Sequence, residues 1–365
     1  MKFSIARGEL LDALSAASRA LSARSTLPIL SGVLIEALGD QIVVQATDLE
    51  ISVKHTVSAG IESEGSAVLP GKLTADIVRS LPEAAVVIEV EKDKAQITSE
   101  SSSFSVKTLS SEDFPKFPEV APDNKALLQR EAFTSLVAHV SKAVSRDETR
   151  PILTGALMAL DGPAFRMVAT DSYRLAVKES VLDKPPAEEI EVVVPGRALE
   201  EVGRLAADES IEVGVSENQV VFSFGKTVFV TRRIEGAFPN WRQLIPKEEG
   251  TVLTVNLEEI SQAAKRVSLL AQHNTPVRMA VSSANQTVTL SATTQDVGEA
   301  SDALMAEVLG DDVEIAFNHG FLADGLAVAK GEKVTFDISS PLKPGVMKAP
   351  EDEGFLYLLM PVRLG

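Results

Sequence analysis

Cysteine is absent from the 365 residues. That excludes a disulfide framework and thiolate metal sites, and it leads us to expect a reducing compartment, the cytoplasm. No run is apolar enough to span a bilayer, and no membrane partner is expected. The opening MKFSIARGELLDALSAASRAL is broken by Arg7, Glu9 and Asp12 and reads as a helix rather than a leader. Basic residues are in deficit, 35 against 52 acidic ones, for a net charge of −17. A nucleic-acid role therefore requires that the cations be segregated onto one surface. Signatures of catalysis are missing too. The four histidines form no HExxH pair. Between Gly65 and Gly71 lie five residues where a phosphate loop needs four, and Leu73 stands where it needs Ser or Thr. There is no dinucleotide fingerprint, nucleophile elbow, zinc-finger spacing or basic zipper. We expect no enzyme, no cofactor and no metal.

What the sequence does hold is one unit written three times. Thr26-Leu27-Pro28-Ile29-Leu30 returns as Thr149-Arg150-Pro151-Ile152-Leu153, 123 residues on. Ala46-Thr47-Asp48 returns as Ala169-Thr170-Asp171 at the same offset and, more faintly, as Ala292-Thr293-Thr294. Asn274-Thr275-Pro276-Val277 takes the upstream place in that third copy. Leu69-Pro70-Gly71-Lys72-Leu73 is answered by Val194-Pro195-Gly196-Arg197-Ala198 and by Phe317-Asn318-His319-Gly320, and Phe114-Pro115 by Phe238-Pro239. Recurrent turn chemistry alone would give irregular spacing. A period this long means whole domains rather than solenoid turns. The polar joints Glu119–Lys125 and Lys247–Thr251 set the expected domains at 1–121, 122–248 and 249–365.

Within the first copy, Leu10, Leu11, Leu14, Ala17 and Leu21 recur at helical spacing after a strand at Lys2–Ile5. Alternation predicts strands at Ser31–Ala37 and Gln41–Ala46 around Leu38-Gly39-Asp40, then at Glu50–Val57 and Glu64–Leu69. A second helix, Lys72–Ser80, precedes strands at Ala85–Glu91, Lys94–Ser99 and Phe104–Leu109. Helices at Arg130–Val144, Arg197–Leu205, Leu257–Leu270 and Phe321–Ala329 fill the same places later. The fold class is α+β: three tandem copies of a domain with two amphipathic helices on a largely antiparallel sheet.

The outer faces of these helices and their loops carry recurrent cations. They are Arg7, Arg19, Arg24, Lys72 and Arg79, then Lys142, Arg146, Arg150, Arg197 and Arg204, then Lys265 and Arg266, with Arg278 and Lys330 beside them. Acids such as Glu36, Asp40, Glu62, Glu64, Glu89 and Glu91 fall in strands and turns. Any one Lys or Arg can simply solvate a helix. The recurrence points to a locally positive face that holds duplex DNA by its phosphates, without reading sequence. Asp48 and Asp171 follow Ala-Thr in both copies and read as turn-capping groups, with a catalytic role as the rival. Asp311-Asp312 reads as a solvated turn.

Several of these segments resemble the bacterial DNA sliding clamps. They are Arg24-Ser25-Thr26-Leu27-Pro28-Ile29-Leu30, Ala46-Thr47-Asp48-Leu49-Glu50, Arg150-Pro151-Ile152-Leu153-Thr154-Gly155, Ala169-Thr170-Asp171-Ser172-Tyr173-Arg174-Leu175-Ala176 and Gly236-Ala237-Phe238-Pro239-Asn240-Trp241. The ending Leu359-Met360-Pro361-Val362-Arg363-Leu364 is the most telling. The resemblance spans the chain, with Trp241 and His273 as departures. It implies the DNA clamp fold, with each chain forming half of a six-domain ring closed as a head-to-tail homodimer. It further implies helices around a central hole that encircles double-stranded DNA. It also implies a pocket between the second and third domains for short linear motifs of the DNA polymerase III catalytic subunit, the clamp loader, other polymerases and repair proteins. The matching positions are Leu153, Thr170, Ser172, Tyr173, Arg174, Leu175, Pro246, Val346, Met360, Pro361, Val362 and Arg363. Such an apolar, Met-bearing groove tolerates several partners, while Arg174 and Arg363 would orient polar groups. A protein-only scaffold ring is the other non-catalytic alternative.

Overall fold

The computed structural model describes residues 1–22, 27–122, 124–248, 250–271 and 275–363. The first copy runs β1 (Lys2–Ala6), α1 (Arg7–Ser18), β2 (Gly32–Leu38), β3 (Gln41–Thr47), β4 (Ile51–Ser58), β5 (Gly60–Ser63), β6 (Gly65–Pro70), α2 (Gly71–Ser80), β7 (Ala85–Glu91), β8 (Lys94–Ser99) and β9 (Ser102–Lys107). The second runs β10 (Asn124–Gln129), α3 (Arg130–Val140), β11 (Gly155–Asp161), β12 (Ala164–Thr170), β13 (Arg174–Val181), β14 (Ile190–Pro195), α4 (Gly196–Leu205), β15 (Ser210–Val215), β16 (Gln219–Phe224) and β17 (Thr227–Arg232). The third runs β18 (Thr251–Asn256), α5 (Leu257–Ser268), β19 (Val277–Ser282), β20 (Thr287–Thr294), β21 (Gly298–Met305), β22 (Glu307–Leu309), β23 (Val313–Phe317), α6 (His319–Val328), β24 (Lys333–Ile338), β25 (Gly345–Lys348) and β26 (Phe355–Leu359).

The repetition is geometric as well as textual. Leu34 faces Gln45 across β2 and β3, and Leu157 faces Val168 across β11 and β12, each 123 residues further on. Both Gly39 and Gly162 turn their hairpins at positive φ, 63° and 53°. Gly71 and Gly196 open the second helix of their copies, where a Cβ would meet Leu21 Cδ1 at 2.5 Å and Val144 Cγ1 at 2.9 Å. In the third copy a side-chain cap does this work: Asn318 Oδ1 accepts from the backbone N–H of Gly320 at 2.9 Å and of Phe321 at 3.1 Å.

The sheets do not respect the copies. The chain forms two compact units, residues 1–130 with 201–233 and residues 131–200 with 234–365. The first holds an eight-stranded sheet, β10-β15-β16-β17-β4-β3-β2-β6, and a five-stranded one, β5-β1-β7-β8-β9. The second holds a nine-stranded sheet, β14-β11-β12-β13-β26-β25-β24-β18-β22, and a four-stranded one, β21-β20-β19-β23. Every strand pair is antiparallel, as alternation predicts, but the two largest sheets each join strands of two copies. β4 pairs with β17 of the next copy, His55 opposite Thr227 and Ile51 opposite Thr231. β13 pairs with β26 in the same way, Lys178 opposite Phe355 and Arg174 opposite Leu359. Shifts of 123 and 128 residues carry one seam onto the other without a change of register. The physical reason is the cost of bare strand edges, which each copy relieves on the next.

Candidate functional site

The repeated Ala-Thr-Asp builds the same turn twice. Asp48 Oδ1 accepts from the N–H of Glu50 and Ile51 at 3.1 and 2.8 Å, and Asp171 Oδ1 from Tyr173 and Arg174 at 2.9 and 3.0 Å. The preceding threonine accepts from the residue two on and donates to the carbonyl four on, in both copies. This holds Leu49 and Ser172 at φ 77° and 79°, a region that L residues rarely enter. The two aspartates thus act as turn caps. Asp312 does similar work, accepting from Ser283 N–H at 2.7 Å. Among the described residues no group of three or more His, Asp or Glu could hold a metal ion. None of the described helices is long and apolar enough to cross a membrane.

In the second unit this turn presents Tyr173, 62% exposed, beside the start of the β13–β26 seam. Met360 N–H donates to Tyr173 O at 2.9 Å and Val362 N–H to Ala316 O at 2.8 Å, so residues 360–362 run on from β26 as a backbone-anchored arm. Met360 and Val362 leave it exposed, together with Arg363, and Pro361 and Pro246 are half-buried. Leu153, Thr170, Leu175 and Val346 are buried. Leu175 belongs to a cluster with Leu157, Val168, Val177, Val193, Trp241 and Leu358, against which Ile152, Ile234, Phe238, Ile245 and Leu356 pack. Trp241, read from sequence only as a departure, is a core residue of that floor.

Arg174 is engaged within the protein. It is buried, donating from Nε to Asp171 Oδ2 at 3.0 Å and from Nη1 to Asp324 Oδ2 at 2.6 Å and to Tyr357 OH at 3.2 Å. Its guanidinium lies 4.3 Å from the centroid of the Phe321 ring, which Tyr173 stacks on from 6.3 Å. Tyr357 OH donates in turn to Phe321 O at 3.1 Å, and burial pushes its phenol well up, so it stays a neutral donor. Arg174 is therefore the brace that holds Tyr173 and Phe321 in place, and Thr170, its hydroxyl donated to Arg174 O, belongs to the same brace. Phe321, Asp324 and Tyr357 were missed by sequence reading. One signal was available: the chain has only two tyrosines, and both stand here.

The predicted cations fall into groups. In the second unit Lys142, Arg146, Arg150 and Arg197 line one open cavity of about 850 Å³ with Asp147, Asp171, Glu200, Asp324 and the Tyr173 and Phe321 rings. Arg150 there donates to Asp147 Oδ2 at 2.9 Å and to Ser172 Oγ at 2.8 Å, which joins the basic pocket to the turn that carries Tyr173. Lys265 and Arg266 are exposed on α5, and Arg266 pairs with Asp302 at 2.6 Å. Arg278 pairs with Glu314 at 3.2 Å, and Lys330 Nζ reaches Ser135 Oγ at 3.4 Å. In the first unit Lys72 and Arg79 are exposed on α2, and Arg19 and Arg204 share Glu201 at 3.5 and 2.6 Å. Arg7 is spent internally, bonded to Glu83 at 2.5 Å and to the carbonyls of Arg79 and Val78 at 2.6 and 3.2 Å. A cation seated on the C-terminal carbonyls of α2 satisfies that helix end, which is why Arg7 turns inward. Arg24 and His273 lie outside the described residues, as do Ser25, Thr26, Asn274 and Leu364 of the motifs.

Paired helices on antiparallel sheets that pass from copy to copy define a DNA clamp fold, and comparison with known proteins agrees over the full length. Three domains of the DNA polymerase III beta subunit match in order: the N-terminal domain at residues 1–118, the central domain at 127–240 and the C-terminal domain at 242–363. The beta sliding clamp of Streptomyces coelicolor is 34% identical over 378 residues, covering 100% of both chains. That of Staphylococcus epidermidis is 32% identical, covering 100% of this chain and 99% of its own. The crystal structure of the Bacillus subtilis sliding clamp superposes with a TM-score of 0.95 at 30% identity over 100% of each chain. A Pseudomonas aeruginosa sliding clamp bound to griselimycin gives 0.94 at 26% identity, also over 100% of each. The chain belongs to the bacterial DNA sliding clamps, the beta subunit of DNA polymerase III. It is the processivity factor of that polymerase, an accessory protein rather than a catalyst, and DNA and polymerase are the partners the family implies.

Proposed function

We propose that two chains close head to tail into a six-domain ring that encircles duplex DNA in the cytoplasm and slides on it without reading sequence. In this reading the domains are 1–121, 122–248 and 249–365. One observation carries it: two of the sheet edges, β9 and β21, are complementary. β9 and β21 each end a sheet with no neighbour among the described strands. By position in the repeat, β9 is the counterpart of β17 and β26, and β21 the counterpart of β4 and β13. Laid edge to edge, β23-β19-β20-β21 and β9-β8-β7-β1-β5 reproduce the nine-stranded sheet of the second unit strand for strand. A single chain cannot join its own two ends this way without closing on three copies, whereas two chains pair both of these edges.

The register follows as well. The pairs Lys54–Val228 and Val177–Leu356 occupy equivalent places at the two internal seams. Carried through the ladders of β20–β21 and β8–β9, that place falls on Ser301 opposite the partner's Ser103. Phe104, 37% exposed on the helix side of β9, then lies against the partner's Ala300. A ring needs only weak phosphate contacts, because topology supplies retention. This reconciles a net charge of −17 with basic helix faces. Light scattering at micromolar concentration should give about twice the chain's 38.9 kDa, and a persistent monomer contradicts the reading.

We assign the docking of polymerases, the clamp loader and repair proteins to the surface formed by Tyr173, Pro246, Met360, Pro361, Val362 and Arg363 over the buried Leu153, Thr170, Leu175 and Val346. Ser172 and Arg174 hold its shape. Exposed Tyr and Met on a rigid floor is the composition that anchors short peptides. Support comes from the griselimycin complex of the Pseudomonas aeruginosa relative, a clamp caught with a ligand. Deletion of residues 360–365 is expected to weaken binding of a peptide from the polymerase catalytic subunit by about a hundredfold, the loss of two anchor side chains. The dimer should persist. Unchanged affinity in fluorescence polarisation removes this assignment.

A further inference from the structure

The first unit carries a cavity that the function described so far leaves unused. It measures about 620 Å³ and lies between the outer face of the eight-stranded sheet and the strap of residues 111–120. The equivalent positions in the second unit are all apolar. There Val168, Val177, Leu356 and Leu358 pack against the Trp241 side of the corresponding strap. In the first unit the same sheet positions are Gln45, Lys54, Val228 and Val230, and Phe117 stands for Trp241. Two aliphatic plugs have thus become polar, and a tryptophan has become a smaller ring.

The polar groups are arranged rather than scattered. Gln45, 6% exposed, donates to Glu36 Oε2, so that carboxylate is already engaged. Lys54 is half-buried with its Nζ 4.7 Å from the centroid of the Phe117 ring, and among the described residues it has no carboxylate partner. A partly desolvated ammonium held by an aromatic face, with aliphatic walls beside it, calls for an anion on an apolar body. The cavity is of the size that engulfs several residues of a ligand.

We propose that this cavity binds an extended peptide segment of a partner protein, which brings a Glu or Asp carboxylate to Lys54 Nζ and aliphatic side chains to Val221, Val228 and Val230. The site is distinct from the Tyr173–Met360 surface, which lies in the other unit and has its own floor. It stands whether or not that surface takes the role assigned above.

The test uses the full-length protein with labelled valine and leucine methyl groups, titrated with acetyl-Leu-Glu-Leu-amide and acetyl-Leu-Gln-Leu-amide at millimolar concentration. The Glu peptide is expected to shift the Val221, Val228 and Val230 methyls and to bind about tenfold more tightly than the Gln peptide, the loss of one charge-assisted contact. Lys54→Met should abolish that preference and Lys54→Arg should keep it. A Met360→Ala, Val362→Ala variant should shift as the unaltered protein does. The proposal is overturned if neither peptide moves these methyls. It is equally overturned if the two peptides bind alike, if Lys54→Met keeps the preference, or if only Leu175 and Leu358 respond.

Discussion

Mild oxidation of a chain carrying Ser103→Cys and Ser301→Cys is expected to convert nearly all of it into a covalently closed dimer. The two serines face each other only if β21 of one chain pairs with β9 of another in the register of the internal seams. Directly opposed residues of an antiparallel pair have Cα atoms about 4.5–5.5 Å apart, inside the range of about 4.4–6.8 Å that a disulfide bridges. The chain has no cysteine of its own, so no other thiol competes. Neither single variant should cross-link by this route. A mixture of the two singles should give a dimer closed at one seam only. Reduction should restore the 38.9 kDa species on a denaturing gel. Oxidation that leaves the double variant monomeric on that gel removes the proposed seam, whatever the solution mass.

Asp352→Asn is expected to cost the second unit about 3–5 kcal/mol, the effect of removing one member of a buried ion cluster. Asp352 is 6% exposed and receives Lys178 Nζ on Oδ1 and His139 Nε2 at 2.8 Å on Oδ2, where Lys330 N–H also donates at 3.2 Å. Lys178 and His139 are themselves buried, and His139 Nδ1 lies 2.6 Å from Ser135 O. The amide would leave two buried groups facing a neutral partner. The cluster ties α3 and β13 to the segment that leads into β26, so its failure loosens the seam beneath Tyr173. Burial works against the Asp352 charge, but Lys178 and His139 outweigh it and hold the carboxyl below the usual carboxylate range. A lowered folded value means that the stabilisation is present above the unfolded value of about 3.9. It is lost as pH falls from there through the folded value. The apparent midpoint of thermal unfolding should therefore fall by about 10 °C at neutral pH in the variant. The gap should close in strongly acid buffer. An unchanged midpoint at neutral pH would show that the cluster contributes nothing.

Local features of this fold were legible because local chemistry writes them. Alternation located β2, β3, β7 and β8 to within a residue or two, and helical spacing located α1 and α2, since each buries one face. The Ala-Thr-Asp repeat was readable as a turn because an Asx cap uses only residues two and three positions away. The pairing of β4 with β17 and of β13 with β26 was not legible. It joins residues well over a hundred positions apart, and no local pattern encodes which edge meets which. The internal partners of Arg174 and Arg7 were not legible for a related reason. An arginine at a helix end or in a motif reads the same from sequence whether it faces solvent or is spent on Asp324 or on the carbonyls of α2. The contrast between Val177 and Lys54 was in the sequence from the start. It acquired meaning only once the registers showed the two to be the same position.

The proposed ring acts by enclosure, so the decisive quantity is how retention depends on the topology of the DNA. The oxidised Ser103→Cys, Ser301→Cys dimer, closed while loaded on a nicked circular plasmid, should survive a wash at about 1 M salt, where phosphate contacts are screened. It should then leave the DNA once a single cut makes the plasmid linear. Equal loss from circle and line, or equal retention on both, would contradict a ring that holds its DNA by surrounding it.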